Sequence, residues 1–110
     1  MAGANNHGTS NGTTDVDVVA APASGNSRLI PAGGINVYNA DTVVSTVTVQ
    51  FTNGVNDRIL DKVELQTGDA WASTIPIVLD DTAEKIQIYL DSAVTTTELD
   101  WFTHYRDESQ

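Results

Sequence analysis

From Asp15 onward, apolar and polar residues alternate with period two, the spacing of strands that bury one face. Val16, Val18 and Ala20, set against Asp17 and Val19, predict a short strand, and Pro22, Ser24, Gly25 and Asn26 predict the turn after it. Arg28 to Ile30 predicts a strand that Pro31-Ala32-Gly33-Gly34 interrupts and that Ile35, Val37 and Tyr38 resume. After a break at Asn39-Ala40-Asp41 comes the strongest strand. Val43, Val47, Val49 and Phe51 share one face with Ser45, while Val44, Thr46, Thr48 and Gln50 take the other. Its β-branched content disfavours a helix.

Asn53-Gly54 is a hairpin signal. Beyond it, Ile59, Val63 and Leu65 are expected on one face, with Arg58, Lys62 and Glu64 on the other. Thr67-Gly68-Asp69 predicts a turn, and Trp71 to Leu79 a strand whose Pro76 marks an edge or a bulge. Asp80-Asp81-Thr82 reads as a loop. Ile86, Ile88 and Leu90 alternate with Gln87 and Tyr89 in the next strand. The final strand runs from about Thr95 to Tyr105, with Leu99, Trp101, Thr103 and Tyr105 on one face.

About seven or eight short strands, roughly ten residues apart and with no helical period, predict an all-β fold. The expected architecture is an antiparallel β-sandwich, of jelly-roll or immunoglobulin-like type. Three parts are expected: an extended polar N-terminal arm at 1–14, the sandwich at 15–106, and a polar C-terminal tail at 107–110. The arm, MAGANNHGTSNGTT, has almost nothing to bury. It is expected to gain order from contacts with a neighbouring subunit.

Charge narrows the function classes. Five Lys and Arg against 15 Asp and Glu give a net charge of −10, which repels nucleic-acid phosphates and anionic membranes. Direct nucleic-acid binding is not expected. No apolar run approaches the ~20 residues that span a bilayer. Residues 1–14 lack the basic and apolar regions of a secretory signal. The sequence holds no cysteine, so disulfides and thiolate metal sites are excluded.

Catalytic templates find little to fill them, and neither enzymatic activity nor a cofactor is expected. His7 lies in the polar arm, and His104 lies on the face of the last strand opposite Trp101 and Tyr105. They are not at metal-ligand spacing, and neither sits in a nucleophile–base motif. Asp80 and Asp81 with Glu84 or Asp91 offer oxygen ligands of the kind Ca²⁺ takes, but without an EF-hand pattern, so a solvated acidic loop is the expectation. Aromatic residues offer a different chemistry. Trp71, Trp101, Tyr38, Tyr89 and Tyr105 are candidates for stacking on sugar rings, with core or inter-subunit packing as the plainer reading. Trp101-Phe102 puts rings on both faces of one strand, which suggests that it is covered by the core and by a partner chain. The candidate partner contacts are therefore Asn5, Asn6, His7, Thr9 and Asn11 in the arm, and Trp71, Trp101, Phe102, His104 and Tyr105 in the body.

Four stretches, VVAAPASGNSR, INVYNADTVVSTVTVQFTNG, RILDKVELQTGDAW and AVTTTELDWFTHYRDES, resemble small virion structural proteins of tailed phages. The resemblance spans about residues 18–108 and rests on strands and turns rather than on chemistry. It departs at Leu29 to Gly34, where LIPAGG stands in place of expected basic residues. The resemblance implies a capsid decoration protein, made in the host cytoplasm and carried on the virion. Such a protein would bind the major capsid protein, stabilise the shell, and act as a homotrimer or other homo-oligomer. The alternative is a carbohydrate-binding or adhesion module on a head fibre or tail, with a host-surface glycan as partner.

Overall fold

The computed structural model describes residues 3–110, so the first two residues of the arm lie outside the described residues. The described residues form strands β1 (Gly3–Ser10), β2 (Val16–Val19), β3 (Asn26–Ile30), β4 (Ile35–Tyr38) and β5 (Ser45–Thr52). β6 (Asp57–Leu65), β7 (Ala70–Ala72), β8 (Ile77–Leu79), β9 (Lys85–Leu90) and β10 (Leu99–Ser109) follow. All pairings are antiparallel, and they build two sheets.

In sheet I, one edge of β10 meets β4 through Asp100–Thr103 and β3 through Arg106–Ser109. β3 and β4 are therefore two halves of one row. β8 and β7 form the next row in the same way, and β1 covers the other edge of β10. Sheet II runs β2-β9-β5-β6. Counted by rows, this is an eight-strand, two-sheet jelly roll, so the all-β antiparallel sandwich expected from the sequence is the fold.

The row breaks at 31–34 and 73–76 lie side by side. The Gly33 N–H donates to the Ser73 carbonyl at 2.6 Å, and the Ser73 N–H donates to Ile35 at 2.9 Å. Pro31 and Pro76 stand where the ladder is interrupted and bring no N–H to it. Between the sheets, Ile30, Ile35, Val37, Leu79, Leu99 and Trp101 of sheet I pack against Val18, Val19, Val47, Val49, Ile86, Ile88 and Leu90 of sheet II.

At one end of the sandwich, polar side chains hold the loops. Buried Asn39 donates its side-chain amide to the carbonyls of Val43 at 3.0 Å and Leu65 at 2.9 Å, and its Oδ1 accepts from the Asp41 N–H. Buried Asp41 accepts from the backbone N–H groups of Thr95, Thr96, Thr97 and Thr42. The Thr95 bond does most to lower its pKa to about 2; burial opposes the shift, and the other three bonds add to it.

Three segments differ from the sequence reading. A bulge between Val49 and Gln50 adds one residue to β6, so the alternation changes phase and Leu60 turns toward the core. Ile59, expected inside, is exposed. Within the stretch read as an arm, Gly3–Ser10 lies on β10 of the same chain. Within the stretch read as a tail, β10 continues to Ser109 because Asn26–Leu29 offers it a pairing edge. The Asn53-Gly54 hairpin is present, with a loop at 53–56 and Gly54 at φ +90°, where a side chain would be strained.

Candidate functional site

Two features of sheet I stand out: an unguarded edge and an aromatic outward face. Antiparallel register places alternate residues on alternate faces. β10 points Leu99, Trp101 and Thr103 inward and Asp100, Phe102, His104 and Arg106 outward. Pairing then aligns the outward residues in rows across the sheet. Thr9, Asp100, Tyr38 and Ala70 form one row, and His7, Phe102, Asn36 and Ala72 the next. Asn5 lies beside His104, and Gly3, Arg106, Leu29 and Val78 make a further row. Two grooves follow from this layout. One, of about 310 Å³, lies along His7, Asn36, Tyr38, Ala70, Asp100 and Phe102. The other, of about 570 Å³, is lined by Leu29, Ile77, Val78, His104, Tyr105 and Arg106.

The groove rings are accessible: Tyr38 is 44% exposed and Phe102 42%. The Phe102 and His104 rings lie 6.3 Å apart, tilted by 46°. Asn36 donates to the Gly33 carbonyl at 2.9 Å, which holds its amide in the groove. The Asp100 carboxylate has no hydrogen bond or ion pair among the described residues.

The edge belongs to β1. Its residues are Gly, Ala, Asn, Asn, His, Gly, Thr and Ser, with no carboxylate, lysine, arginine or proline. One side pairs β10, and the other is unpaired among the described residues. The remaining edges are guarded. β6 carries Asp57, Arg58, Asp61, Lys62 and Glu64 and a bulge. β2 is four residues long with a register shift, and the β7/β8 row is broken at Pro76. β1 sits close because Gly8 lies over Trp101: a Cβ there would meet the indole Cζ2 at 2.6 Å.

Of the ten residues expected to contact a partner, Asn5, His7, Thr9, Phe102 and His104 come together on this outward face. Asn6 lies on the same edge but faces the other way, and Asn11 lies in the loop after β1, its carbonyl accepting from the Val94 N–H. Trp101 is core, and Tyr105 is half-buried beneath Arg28, whose guanidinium lies 4.3 Å from the ring. Trp71 is half-buried at the margin of the sandwich and donates to Asp61 at 2.8 Å. Tyr38, one of the stacking candidates from the sequence, ends β4 and is exposed, on the face opposite buried Val37.

The carboxylates of the acidic loop already have partners, Asp80 accepting from the Ser27 hydroxyl of β3 at 2.7 Å. Glu84 accepts from the Asp80 and Asp81 N–H groups, and Asp81 accepts from Ala83. Asp91 pairs with Lys62 on a different strand. Among the described residues no group of three or more His, Cys, Asp or Glu is placed to hold a metal ion.

No family model matches the sequence, and no curated protein matches it. Among solved structures, one that is similar comes from Bacillus endospore appendages, which form a family of disulfide-linked pili. Its TM-score is 0.58 at 16% identity, over 98% of this chain and 85% of that one. PirA is also similar, with a TM-score of 0.52 at 13% identity over 93% of each chain. At these identities the likeness concerns the fold.

Proposed function

We propose that this chain is a non-enzymatic structural subunit that works by assembling in many copies, with β1 as its joining edge. The observation that carries the reading is the contrast among the four sheet edges: three are guarded by charge, bulge, shortness or proline, and β1 by none of these. An unguarded strand of eight residues is a template for a further strand. Its main-chain groups supply affinity without needing a particular side chain. Pairing of β1 with β1 of a two-fold mate closes a dimer. Pairing with a different edge of the next copy closes a trimer or runs on as a filament.

The setting we propose is the shell of a tailed phage, as a decoration protein on the major capsid protein, because the sequence cues resemble such proteins. Many weak contacts between copies would then add cohesion through multivalency. A second setting, an extracellular appendage, is favoured by the similarity of the fold to an appendage chain over most of both lengths. The disulfide linking described for those pili has no counterpart here, since this sequence has no cysteine. Cohesion in this chain would rest on strand pairing and packing.

Light scattering and negative-stain imaging of the purified chain test the reading, with Asn5→Lys/Asn6→Lys as the edge-charged variant. The wild type should form oligomers or filaments that grow with concentration, and the variant should stay monomeric with an unchanged circular dichroism spectrum. Co-sedimentation with phage shells separates the two settings. A wild type that remains monomeric alone and with shells overturns the reading.

A further inference from the structure

We infer that the smaller groove on the outward face of sheet I is a binding site for a neutral sugar, a reading that goes beyond assembly and does not depend on it. Asp100 is opposite Tyr38 and Phe102 is opposite Asn36, so two rings and two polar groups alternate like the squares of a board. His7 borders Phe102 on the β1 side, and Ala70 borders Tyr38 on the other, where its small side chain leaves the groove open. A ligand that fills this site must present flat C–H surface to two rings and hydrogen-bond donors to a carboxylate and an amide oxygen. A pyranose does both with one ring: its axial C–H face packs on aromatic carbon, and its equatorial hydroxyls point outward to acceptors.

Other ligand classes fit less well. An apolar peptide side chain would cover Asp100 without giving it a donor, and an unpaired buried carboxylate is costly. A base or nucleotide brings phosphate to a chain of net charge −10 and to a groove that already holds Asp100 and no lysine or arginine. The same charge argument rejects sialylated and phosphorylated glycans. The larger groove beside it is apolar, and nothing in the structure shows what covers it.

The geometry also makes the site repeatable. An edge-to-edge joint at β1 would leave the outward face of sheet I uncovered, so assembled copies would present a row of weak sites whose avidity exceeds each one.

Saturation-transfer NMR on the full chain tests the inference. The probes are neutral oligosaccharides of glucose, galactose, mannose and N-acetylglucosamine, with sialyllactose as the anionic comparison. At least one neutral probe should receive saturation at millimolar concentration, and sialyllactose should not. Amide shifts in the unmutated protein should move at Asn36, Asp100 and Phe102. Phe102→Ala and Tyr38→Ala should each weaken binding about tenfold, while Tyr89→Ala on sheet II should leave it unchanged. No saturation from any neutral probe, affinity retained in both ring variants, or a preference for sialyllactose would each overturn it. Sugar binding by a chain that never assembles would leave this site standing and remove the assembly reading alone.

Discussion

The two outward faces of the sandwich are each built from four rows of strands, yet they spend their polar groups differently. On sheet II the side chains bond to one another across strands. Asp17 accepts from Lys85 at 3.0 Å and from Gln87 at 2.8 Å, and Gln87 accepts from Gln50 at 3.0 Å. Three neighbouring strands are tied by that chain of contacts; Gln50 within it is buried, and Thr48 beside it is buried with its hydroxyl unpaired among the described residues. On sheet I, Tyr38, Phe102, His7 and Asp100 face solvent without such ties among the described residues. A face whose accessible donors and acceptors already meet has little left for a partner. A face that holds its rings and its carboxylate apart has both to offer. The two faces thus differ in bonding pattern as well as in exposure.

Substitutions on the two sides of one strand should differ widely in cost. The largest effect is that of Trp101→Ala. It removes a buried ring from the inward side of β10 and should cost about 3–5 kcal/mol in urea unfolding. Its neighbour on the outward side, Phe102, should cost the least. Equal costs for the two would mean that the faces are not distinct.

Acid should act next, through the loops at one end. The folded-state pKa of Asp41 is lowered to about 2, below the ordinary 3.8. Its contribution to stability is therefore fully present above the ordinary value and is lost as pH falls through about 2. Asp107 is shifted in the same direction by its hydrogen bonds with Arg28, at 2.8 and 3.0 Å, and adds to the same acid loss. Asp41→Asn should flatten the dependence of unfolding on pH between about 4 and 2 and lower stability at neutral pH. A steep acid transition that persists unchanged in this variant would remove Asp41 as its source.

Substitutions on the two outward faces should cost less. Gln87→Ala cuts the ladder on sheet II and should cost about 0.5–1.5 kcal/mol. Phe102→Ala, on the open face, should change stability by no more than about 0.5 kcal/mol. If Phe102 proved the costlier of the two, its ring would be serving the fold rather than a partner.

Much of this was legible in the residues. Alternation placed Leu99, Trp101 and Thr103 on one face of β10 and located β9 to the residue, because a half-buried strand writes its register into its own sequence. It also marked Phe102 and His104 as outward. Other features left no local trace. β1 has no apolar stripe and is a strand because β10 offers it an edge. The bulge in β6 is invisible in a pattern that reads well in either phase, so Ile59 and Leu60 exchanged roles. The Asn39 and Asp41 contacts join loops far apart in sequence. The tyrosine in the groove could be assigned only once β4 was known to lie beside β10.

The order in which the rows appear has a consequence for biosynthesis. β10 occupies the middle of its sheet yet comes after every other strand in this chain, so β1, β3 and β4 wait for it with their sides unpaired. A nascent chain leaving the ribosome cannot close sheet I until Leu99–Ser109 has emerged, whereas β2, β5, β6 and β9 are by then complete. The sheet that tethers itself by its own side chains is thus complete before the one left open for company.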